Sequence, residues 1–282
     1  YFIMIFWIAS YPKSGNTWIR TFISTYYFSN SDTFEFNYLK NVKQFPHEKF
    51  FNKEIKDINS AINNWDEAQK KINIKNKIIF LKTHSALATI NKCSFTTKEH
   101  SIAGIYIVRD PRNVITSMSN HYELNFDQAL EFMTNSKKYL ISKKNINDFS
   151  NFTFLSSWSE HYKSWKNNKQ FKIFFIRYED LEKNPLETFK KIILFTNKIL
   201  NKVEVINIKK VKKIVESISF NELKKKEEVL GFPEAVLDKN KKKINFFYLG
   251  KKNKWNEILT NNQINLLNTK FEKDLKILEY EY

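Results

Sequence analysis

The stretch Ile8-Ala-Ser-Tyr-Pro-Lys-Ser-Gly-Asn-Thr-Trp-Ile-Arg20 decides how this chain folds. The apolar run at residues 2–9 predicts a buried strand, and residues 11–15 predict a tight turn. An amphipathic pattern begins at Thr17 and continues to Tyr27, which predicts a helix. The sequence therefore places a strand directly before a helix, with only a short turn between them.

A turn that leads from a strand into a helix can bind an anion. The first N–H groups of a helix have no intrahelical acceptor, and the helix dipole adds about half a positive charge there. A phosphate can therefore bind to the backbone itself. Gly15 lets that backbone approach closely, and Lys13 adds a cation. Three short polar side chains can add hydrogen bonds to the phosphate: Ser14, Asn16 and Thr17.

The order of lysine and glycine separates this loop from the Walker loop of nucleotide-binding proteins. The Walker pattern, G-x-x-x-x-G-K-[ST], places its lysine after the second glycine, whereas Lys13 precedes Gly15, the only glycine of the loop. The run from Tyr11 to Trp18 closely resembles the 5′-phosphosulfate loop of sulfotransferases that use 3′-phosphoadenosine 5′-phosphosulfate (PAPS). This resemblance implies PAPS as co-substrate, adenosine 3′,5′-bisphosphate (PAP) as product, and no metal ion.

Length and composition are typical of one large α/β domain. The 282 residues can bury a substantial core without disulfide bonds. Together with the resemblance, they predict a P-loop-like central parallel sheet flanked by helices, in a single domain of residues 1–282. We expect Met4 to be the natural first residue. The single cysteine, Cys93, excludes an internal disulfide and a multi-cysteine metal site, and it favours a reducing, cytoplasmic location.

The N-terminal apolar run is too short to cross a membrane. A membrane helix needs about 20 apolar residues, and the run ends after roughly half that length, directly before the phosphate loop. We therefore expect no membrane span.

The net charge of +17 favours anionic ligands. Lysine, asparagine and isoleucine are abundant and glycine is rare, as biased codon usage would produce, so much of the lysine excess is expected on the solvated surface. That bias makes the arginines informative: only Arg20, Arg109, Arg112 and Arg177 occur. Each lies at or near a predicted strand end or the helix after it, and we expect these positions to need the planar guanidinium fork.

The second predicted strand, residues 77–82, ends in Lys82-Thr83-His84-Ser85. Ligands of open α/β sheets bind at the carboxyl ends of the strands, where His84 falls. A single histidine is more often structural, but a Lys-x-His at this point supplies the general base in the family that the chain resembles. The resemblance implies His84 as the base and Lys82 as its charge-stabilising neighbour.

The third predicted strand, residues 104–108, is followed by Arg109 and by a helix that begins at Pro111 with Asp110 as its cap. Ser117 lies two turns beyond Arg109, so both side chains can reach one phosphate. The pair matches the 3′-phosphate signature of the family, an arginine and a serine separated by seven residues. The residues alone leave a local ion pair of Arg109 with Asp110 as the alternative.

The fourth predicted strand, residues 172–176, leads into the turn Tyr178-Glu179-Asp180 and a helix that starts at Asn184-Pro185. Sulfotransferases show the same strand, turn and helix. We expect Glu179 and Asp180 to hold the turn.

Two aromatic positions are assigned to adenine by the resemblance, and a third by plausible stacking geometry. The tyrosine of the turn contacts adenine in the family, which implies that role for Tyr178. Ser219 and Phe220 resemble a Ser-Phe segment that packs on the same base. Phe220 and Trp18 could then cover opposite faces of the adenine.

The last motif, residues 246–255, departs from the family in one place. Sulfotransferases usually carry Arg-Lys-Gly here, with a tryptophan five residues after the glycine, and the basic pair covers the 3′-phosphate. Gly250 and Trp255 keep that spacing, but Tyr248 and Leu249 replace the two cations. We assign Gly250 and Lys251 to the nucleotide, and three lysines remain candidates for the missing charge: Lys251, Lys252 and Lys254. The alternative is a weaker affinity for the 3′-phosphate. The lysines at 239–243 fit either a lid or a solvated run.

The segments between the motifs carry no signature. Residues 29–77 are expected to form two or three short helices and part of the acceptor pocket, and residues 123–169 show a helical rhythm. A surface position is expected for His121 and Tyr122, with the acceptor as the alternative. Residues 261–278 predict a terminal amphipathic helix. One helix face is expected to lie in the core: Trp158, Tyr162 and Trp165.

The predicted activity is transfer of a sulfuryl group from PAPS to an acceptor hydroxyl or amine. This reaction needs alignment, a base for the acceptor proton and cations at the leaving oxygen, which His84 and Lys13 can supply. Two alternatives are a small-molecule kinase on a related fold and a non-catalytic polyanion-binding protein. The sequence does not distinguish a small-molecule from a carbohydrate acceptor, does not determine the oligomeric state, and predicts no specific nucleic acid partner.

Overall fold

Five parallel strands form the central sheet of the computed structural model, which describes residues 4–72, 78–141, 148–203, 205–235 and 243–281. The described strands are β1 (Ile5–Ser10), β2 (Lys43–Gln44), β3 (Ile79–Thr83), β4 (Thr89–Ile90), β5 (Cys93–Ser94), β6 (Ser101–Val108), β7 (Tyr139–Leu140), β8 (Thr153–Phe154) and β9 (Lys172–Arg177). The sheet has the order β2-β3-β1-β6-β9, and the pairs β4–β5 and β7–β8 form two small antiparallel hairpins. The predicted central parallel sheet is confirmed.

Helices cover both faces of this sheet, as predicted. The described α-helices are α1 (Asn16–Phe28), α2 (Ile58–Asn63), α3 (Trp65–Ile72), α4 (Pro111–Tyr122), α5 (Phe126–Thr134), α6 (Trp158–Lys166), α7 (Tyr178–Lys183), α8 (Pro185–Ile199), α9 (Ile208–Ser217), α10 (Phe220–Leu230), α11 (Trp255–Ile258) and α12 (Asn261–Ile277). One core cluster contains residues of α1, α8, α9 and α10, and the other contains residues of α4, α5, α6 and α12. None of the helices in the described ranges is long and apolar enough to span a bilayer.

The central strand β1 is buried on both faces. Its six residues are all buried, with Trp7 in one core cluster and Phe6 in the other. Burial of a large apolar side chain contributes roughly 1.5–3 kcal/mol. A strand with such side chains on both faces is therefore stable only between two helical layers.

The strand order places a topological switch point at β1. The chain leaves β1 toward β2 and β3 on one side and later adds β6 and β9 on the other. Ligands bind at such a point, outside the carboxyl ends of the strands. The phosphate loop follows β1, His84 follows β3, Arg109 follows β6 and Tyr178 follows β9. All four features therefore lie along one edge of the sheet.

The predicted elements around the motifs are confirmed, with ends that differ by up to three residues. The short helices predicted in residues 29–77 and the terminal helix are also present, and Trp158, Tyr162 and Trp165 are fully buried. Residues 1–3, Lys77 and residues 239–242 of the predicted lid lie outside the described part of the chain.

The helical rhythm predicted across residues 123–169 is wrong. α5 and α6 flank the β7–β8 hairpin instead. Glu123 and Ser156 have φ values of 52° and 59°, so left-handed turns are made here without the glycine that usually marks them. The sequence pattern also gives no indication of β2, because two polar residues show no periodicity.

Candidate active site

The phosphate loop presents backbone N–H groups to a cavity. Gly15 precedes α1 with a φ of 98°, and no side chain caps the first turn of the helix. Asn16 holds the turn against the strand by donating from Nδ2 to the carbonyl oxygen of Ile8, at 3.0 Å. The hydroxyl of Ser14 is buried and has no hydrogen-bond partner among the residues described. The loop therefore has the unpaired donors that a phosphate needs.

Gly15 is required because Tyr178 packs directly on it. A Cβ atom at Gly15 would lie 2.6 Å from Cδ2 of Tyr178. On the ring of this tyrosine lies the guanidinium of Arg109, with Cζ 4.1 Å from the ring centroid. Arg109 also donates from Nη1 to the carbonyl oxygen of Lys13, at 3.2 Å. Contacts of Arg109 therefore join the phosphate loop to the carboxyl ends of β6 and β9.

Arg109 is available to a ligand because Asp110 binds a different arginine. The fork of Arg112 donates from Nε and Nη2 to the Asp110 carboxylate, at 3.0 and 2.8 Å, and its Cζ lies 3.9 Å from the Trp255 ring centroid. The alternative of an Arg109–Asp110 ion pair is therefore wrong. Nε of Arg109 is buried, and the described part of the chain supplies no partner for it.

The segment after Gly250 is attached to α4, the helix of Ser117. Thr116 donates its hydroxyl proton to Oδ1 of Asn253, at 2.6 Å, and Asn253 donates from Nδ2 to the carbonyl oxygen of Asn113, at 3.0 Å. Of the three candidate lysines, Lys251 lines the cavity, whereas Lys254 pairs with Glu257 at 2.7 Å.

One cavity of about 1210 Å³ brings the predicted residues together. This exceeds the roughly 300–1,000 Å³ of a typical ligand pocket, so there is room for a nucleotide and an acceptor. Ser14 is buried beside the cavity, and every other predicted residue lines it: Lys13, Gly15, Asn16, Thr17, Trp18, Lys82, His84, Arg109, Ser117, Tyr178, Ser219, Phe220, Gly250 and Lys251.

The aromatic residues at the nucleotide end do not stack on each other. Trp18 lies at a tilt to Tyr178, with ring centroids 5.9 Å apart, and Phe220 meets the edge of Phe247 at 6.3 Å. Phe220 also packs on Gly250, where a Cβ atom would lie 2.5 Å from the ring. The predicted sandwich of adenine between Trp18 and Phe220 remains a prediction.

The imidazole of His84 is held in one tautomer. Its Nδ1 lies 2.8 Å from the carbonyl oxygen of Ser10; a carbonyl only accepts, so Nδ1 carries the proton and Nε2 has a free lone pair. Burial, and then the nearby Lys82 ammonium, lower the pKa of His84 to about 3. The ring is therefore neutral at pH 7 and can accept a proton.

A second histidine fixes the backbone of His84. Nε2 of His161 donates to the carbonyl oxygen of His84 at 2.9 Å, and the hydroxyl of Tyr106 lies 2.7 Å from Nδ1 of His161. Because Nε2 carries the proton of His161, Tyr106 is the donor in the second bond. This buried chain of hydrogen bonds fixes the position of the His84 backbone.

Lys13 is a cation with an unusually low pKa. Burial, and then repulsion by Arg109, lower the pKa of Lys13 to about 7. Its ammonium lies 4.2 Å from the centroid of the Phe246 ring. An anion bound at the loop would stabilise the protonated form of this lysine.

Sequence reasoning missed Glu234, whose carboxylate joins Lys82 to Arg20. Oε2 lies 2.9 Å from Nζ of Lys82, and Oε1 binds the guanidinium of Arg20. Burial alone would raise the pKa of Glu234, but the cations Lys82 and Arg20 lower it well below its usual range. No local sequence signal marks this residue, because its partners lie in α1 and β3.

Replacement of Glu234 by glutamine is expected to destabilise the fold by roughly 3 kcal/mol, because Lys82 and Arg20 then lose their shared carboxylate. Their side chains are only 6% and 7% exposed, against 27% for Glu234. Thermal unfolding at pH 7 should show a Tm lower by roughly 5–10 °C. The Tm difference between the two proteins should shrink below about pH 4. There the Glu234 carboxyl is protonated in the unfolded state and then also in the folded state, so its ion pairs stabilise the wild type less.

The matched control is Glu228→Gln, because Glu228 is exposed on α10 and makes no ion pair with a described residue. Its Tm should equal that of the wild type. Equal Tm values for Glu234→Gln and Glu228→Gln would contradict the role assigned to the buried carboxylate.

The surface position expected for His121 is wrong, and Tyr122 also lines the cavity. His121 lies at the end of α4, and its Nδ1 is buried with no hydrogen-bond partner in the described ranges. Burial, followed by the charges of Lys13 and Lys82, lowers the pKa of His121 to about 3. A second neutral imidazole therefore lines the cavity, close enough to Lys13 and Lys82 for their charges to act on it.

Comparison with known proteins identifies the family. A model of the sulfotransferase domain matches residues 5–279. The chain belongs to the sulfotransferase family. Sulfotransferase 1B1 of Canis lupus familiaris is 26% identical over 250 residues, which cover 83% of this chain and 71% of that protein. Luciferin sulfotransferase of Photinus pyralis is 24% identical over 225 residues, which cover 77% of this chain and 56% of that protein.

Solved structures share the fold of this sulfotransferase. Mouse sulfotransferase SULT7A1 in complex with PAP superposes with a TM-score of 0.54 at 21% identity, covering 97% of this chain and 84% of that one. Retinol dehydratase in complex with retinol and PAP gives a TM-score of 0.60 at 16% identity, covering 99% of this chain and 83% of that one.

Proposed function

We propose that this sulfotransferase transfers the sulfuryl group of PAPS to an acceptor hydroxyl or amine, with His84 as general base. The observation that carries the proposal is the meeting of the phosphate loop, Arg109 and His84 in one cavity. The two structural neighbours bound to PAP, the desulfated product of PAPS, support the choice of co-substrate.

The nucleotide end of the cavity offers a group for each part of PAPS. The N–H groups at the start of α1 and the hydroxyls of Ser14 and Thr17 would hold the 5′-phosphate. Arg109 and Ser117 would hold the 3′-phosphate, and this contact would distinguish PAPS from ATP. The three aromatic residues at this end would hold the adenine: Trp18, Tyr178 and Phe220.

The reacting end has a base and two cations. PAPS supplies a sulfuryl group on a phosphate leaving group. His84 would take the acceptor proton at Nε2, because its Nδ1 proton is held by Ser10. Lys13 and Lys82 would stabilise the negative charge that develops around the transferred group. The carboxylate of Glu234 is already engaged by Lys82 and Arg20, so we assign it to holding these cations and not to accepting the proton.

Direct transfer of ³⁵S from labelled PAPS to a mixture of sugars, phenols, sterols and amines tests the proposal. PAP should raise the Tm of the protein far more than ADP with Mg²⁺ does. Preference for ADP with Mg²⁺ would instead indicate the kinase alternative. Binding to heparin with steep salt dependence, without binding of PAP, would indicate the polyanion-binding alternative.

Replacement of Lys251 by alanine is expected to weaken PAP binding by about tenfold, through loss of one cation from the 3′-phosphate. The exposed neighbour Lys252 provides the matched control, Lys252→Ala, which should bind PAP as the wild type does. Titration calorimetry should also show equal affinity of all three proteins for AMP, which has no 3′-phosphate. A larger effect of Lys252→Ala would show that the wrong lysine has been assigned.

A further inference from the structure

The part of the cavity beyond His84 is formed by residues 39–50, the end of α4 and the β7–β8 hairpin. β2 pairs with β3 so that Gln44 lies beside Lys82, on the side of His84 away from the phosphate loop. The residues assigned to the nucleotide follow β1, β6 and β9, which lie on the other side of β3. This region is therefore where the acceptor must enter.

Polar side chains outnumber apolar ones at this end, where Leu39, Leu140 and Ile141 are the aliphatic residues. Ligand pockets are usually lined mainly by apolar and aromatic groups with a few polar ones. Here amide, imidazole, ammonium and hydroxyl groups face the cavity together: Lys43, Gln44, Asn120, His121, Asn151 and Thr153. Such groups both donate and accept hydrogen bonds, so they match a ligand that carries several hydroxyls.

His121 shows that this polarity extends to the reacting centre. Its buried Nδ1 lacks a partner within the described residues, and Lys13 and Lys82 are close enough to shift its pKa. A buried polar atom without a hydrogen bond destabilises a site. An apolar acceptor would leave Nδ1 of His121 without a hydrogen bond. A hydroxyl beside the one that reacts would give Nδ1 a partner.

The rim of the same region carries charges of both signs. Lys40, Lys43 and Lys49 are accompanied by Glu48 and Asp148, so the charges nearly balance and do not by themselves select the acceptor. Phe50 and Tyr122 add aromatic surface, which can cover the C–H face of a sugar ring. Hydrogen bonding together with a few aromatic faces describes a carbohydrate site.

We infer that the acceptor is a saccharide, recognised through hydroxyls next to the one that is sulfated; this inference rests on the proposed function. The reaction forms a bond from the sugar oxygen to sulfur and breaks the bond from sulfur to the phosphate oxygen. The hydroxyl proton goes to Nε2 of His84, and PAP leaves with the electron pair. Retinol, the second ligand of one structural neighbour, is by contrast mostly apolar.

The experiment compares the wild type with His121→Phe and Gln44→Leu, which replace polar groups by apolar ones of similar size. Transfer of ³⁵S from PAPS is measured to maltotriose and a hyaluronan tetrasaccharide, and to 4-nitrophenol and androsterone. Binding of each probe to the PAP-saturated enzyme is measured by saturation-transfer NMR. The wild type should prefer a saccharide, and both variants should lower its kcat/KM about tenfold or more. PAP affinity should stay unchanged, and in both variants transfer to 4-nitrophenol should fall less than transfer to the saccharide.

Preference of the wild type for 4-nitrophenol or androsterone would overturn the inference, and so would a lack of binding to both saccharides. An unchanged ratio of saccharide to phenol transfer in both variants would overturn it as well. These results would leave the proposed function intact as long as PAP binds and label is transferred. Failure of PAP binding itself would remove the proposed function.

Discussion

Replacement of His84 by alanine is expected to lower kcat by about 10²–10⁴-fold, the contribution typical of a positioned general base. The Nδ1 proton of His84 is held by the carbonyl oxygen of Ser10 at 2.8 Å, so Nε2 alone is free to accept. PAP affinity should be unchanged, because His84 follows β3 and the phosphate loop follows β1. Steady-state kinetics with PAPS and titration calorimetry with PAP measure the two quantities.

Imidazole provides the control for this variant. Added at millimolar concentrations, it should restore part of the lost rate in His84→Ala and leave the wild type unaffected. A kcat above one tenth of the wild-type value, or no rescue despite a wild-type Tm and PAP affinity, would contradict the assignment of the base.

Replacement of Lys13 by alanine is expected to lower kcat by about 10²–10³-fold, as removal of one preorganised charge-stabilising group does in other enzymes. Lys13 lines the cavity beside the uncapped first turn of α1. Unlike His84→Ala, this variant should also bind PAP more weakly, because the ammonium attracts the 5′-phosphate. The same kinetic and calorimetric measurements separate the two variants.

The pH dependence of PAP binding tests whether Lys13 acts through its positive charge, and not only through the contact that Lys13→Ala removes. The pKa of Lys13 is lowered to about 7, so the protonated form, which binds an anion better, is lost as pH rises. Wild-type affinity should fall between pH 7 and 9, by at most about tenfold per unit. Lys13→Arg should remove most of this dependence, because guanidinium stays charged. An equal slope in both proteins would show that another group titrates.

Several parts of the site could be predicted because their information is local. The phosphate loop is continuous in sequence, and its Lys-Ser-Gly order lies between a strand and a helix that both show clear patterns. His84, Arg109 and Tyr178 each follow a predicted strand, and parallel strands bring their carboxyl ends to one edge. The positions of these groups follow from strand ends, which the apolar runs locate within a few residues.

Other parts of the fold and of the site could not be predicted from sequence patterns. The β7–β8 hairpin and β2 are short, and turns at Glu123 and Ser156 adopt positive φ without glycine. The guanidinium of Arg112, which binds Asp110, is held in place by Trp255 and Asn268, both more than 140 positions away. Glu234 and His121 also gain their roles from residues distant in sequence.

The sequence by itself determined the fold, the phosphate loop and the strand-end residues, because periodic burial and helix-start chemistry are properties of neighbouring residues. Only the tertiary structure decided which arginine binds Asp110, that Lys251 lines the cavity and that Glu234 binds Lys82. The tertiary structure alone also decided which polar side chains line the cavity beyond His84. Ion pairing, burial and cavity shape depend on distances through space, and the linear order of residues does not specify them.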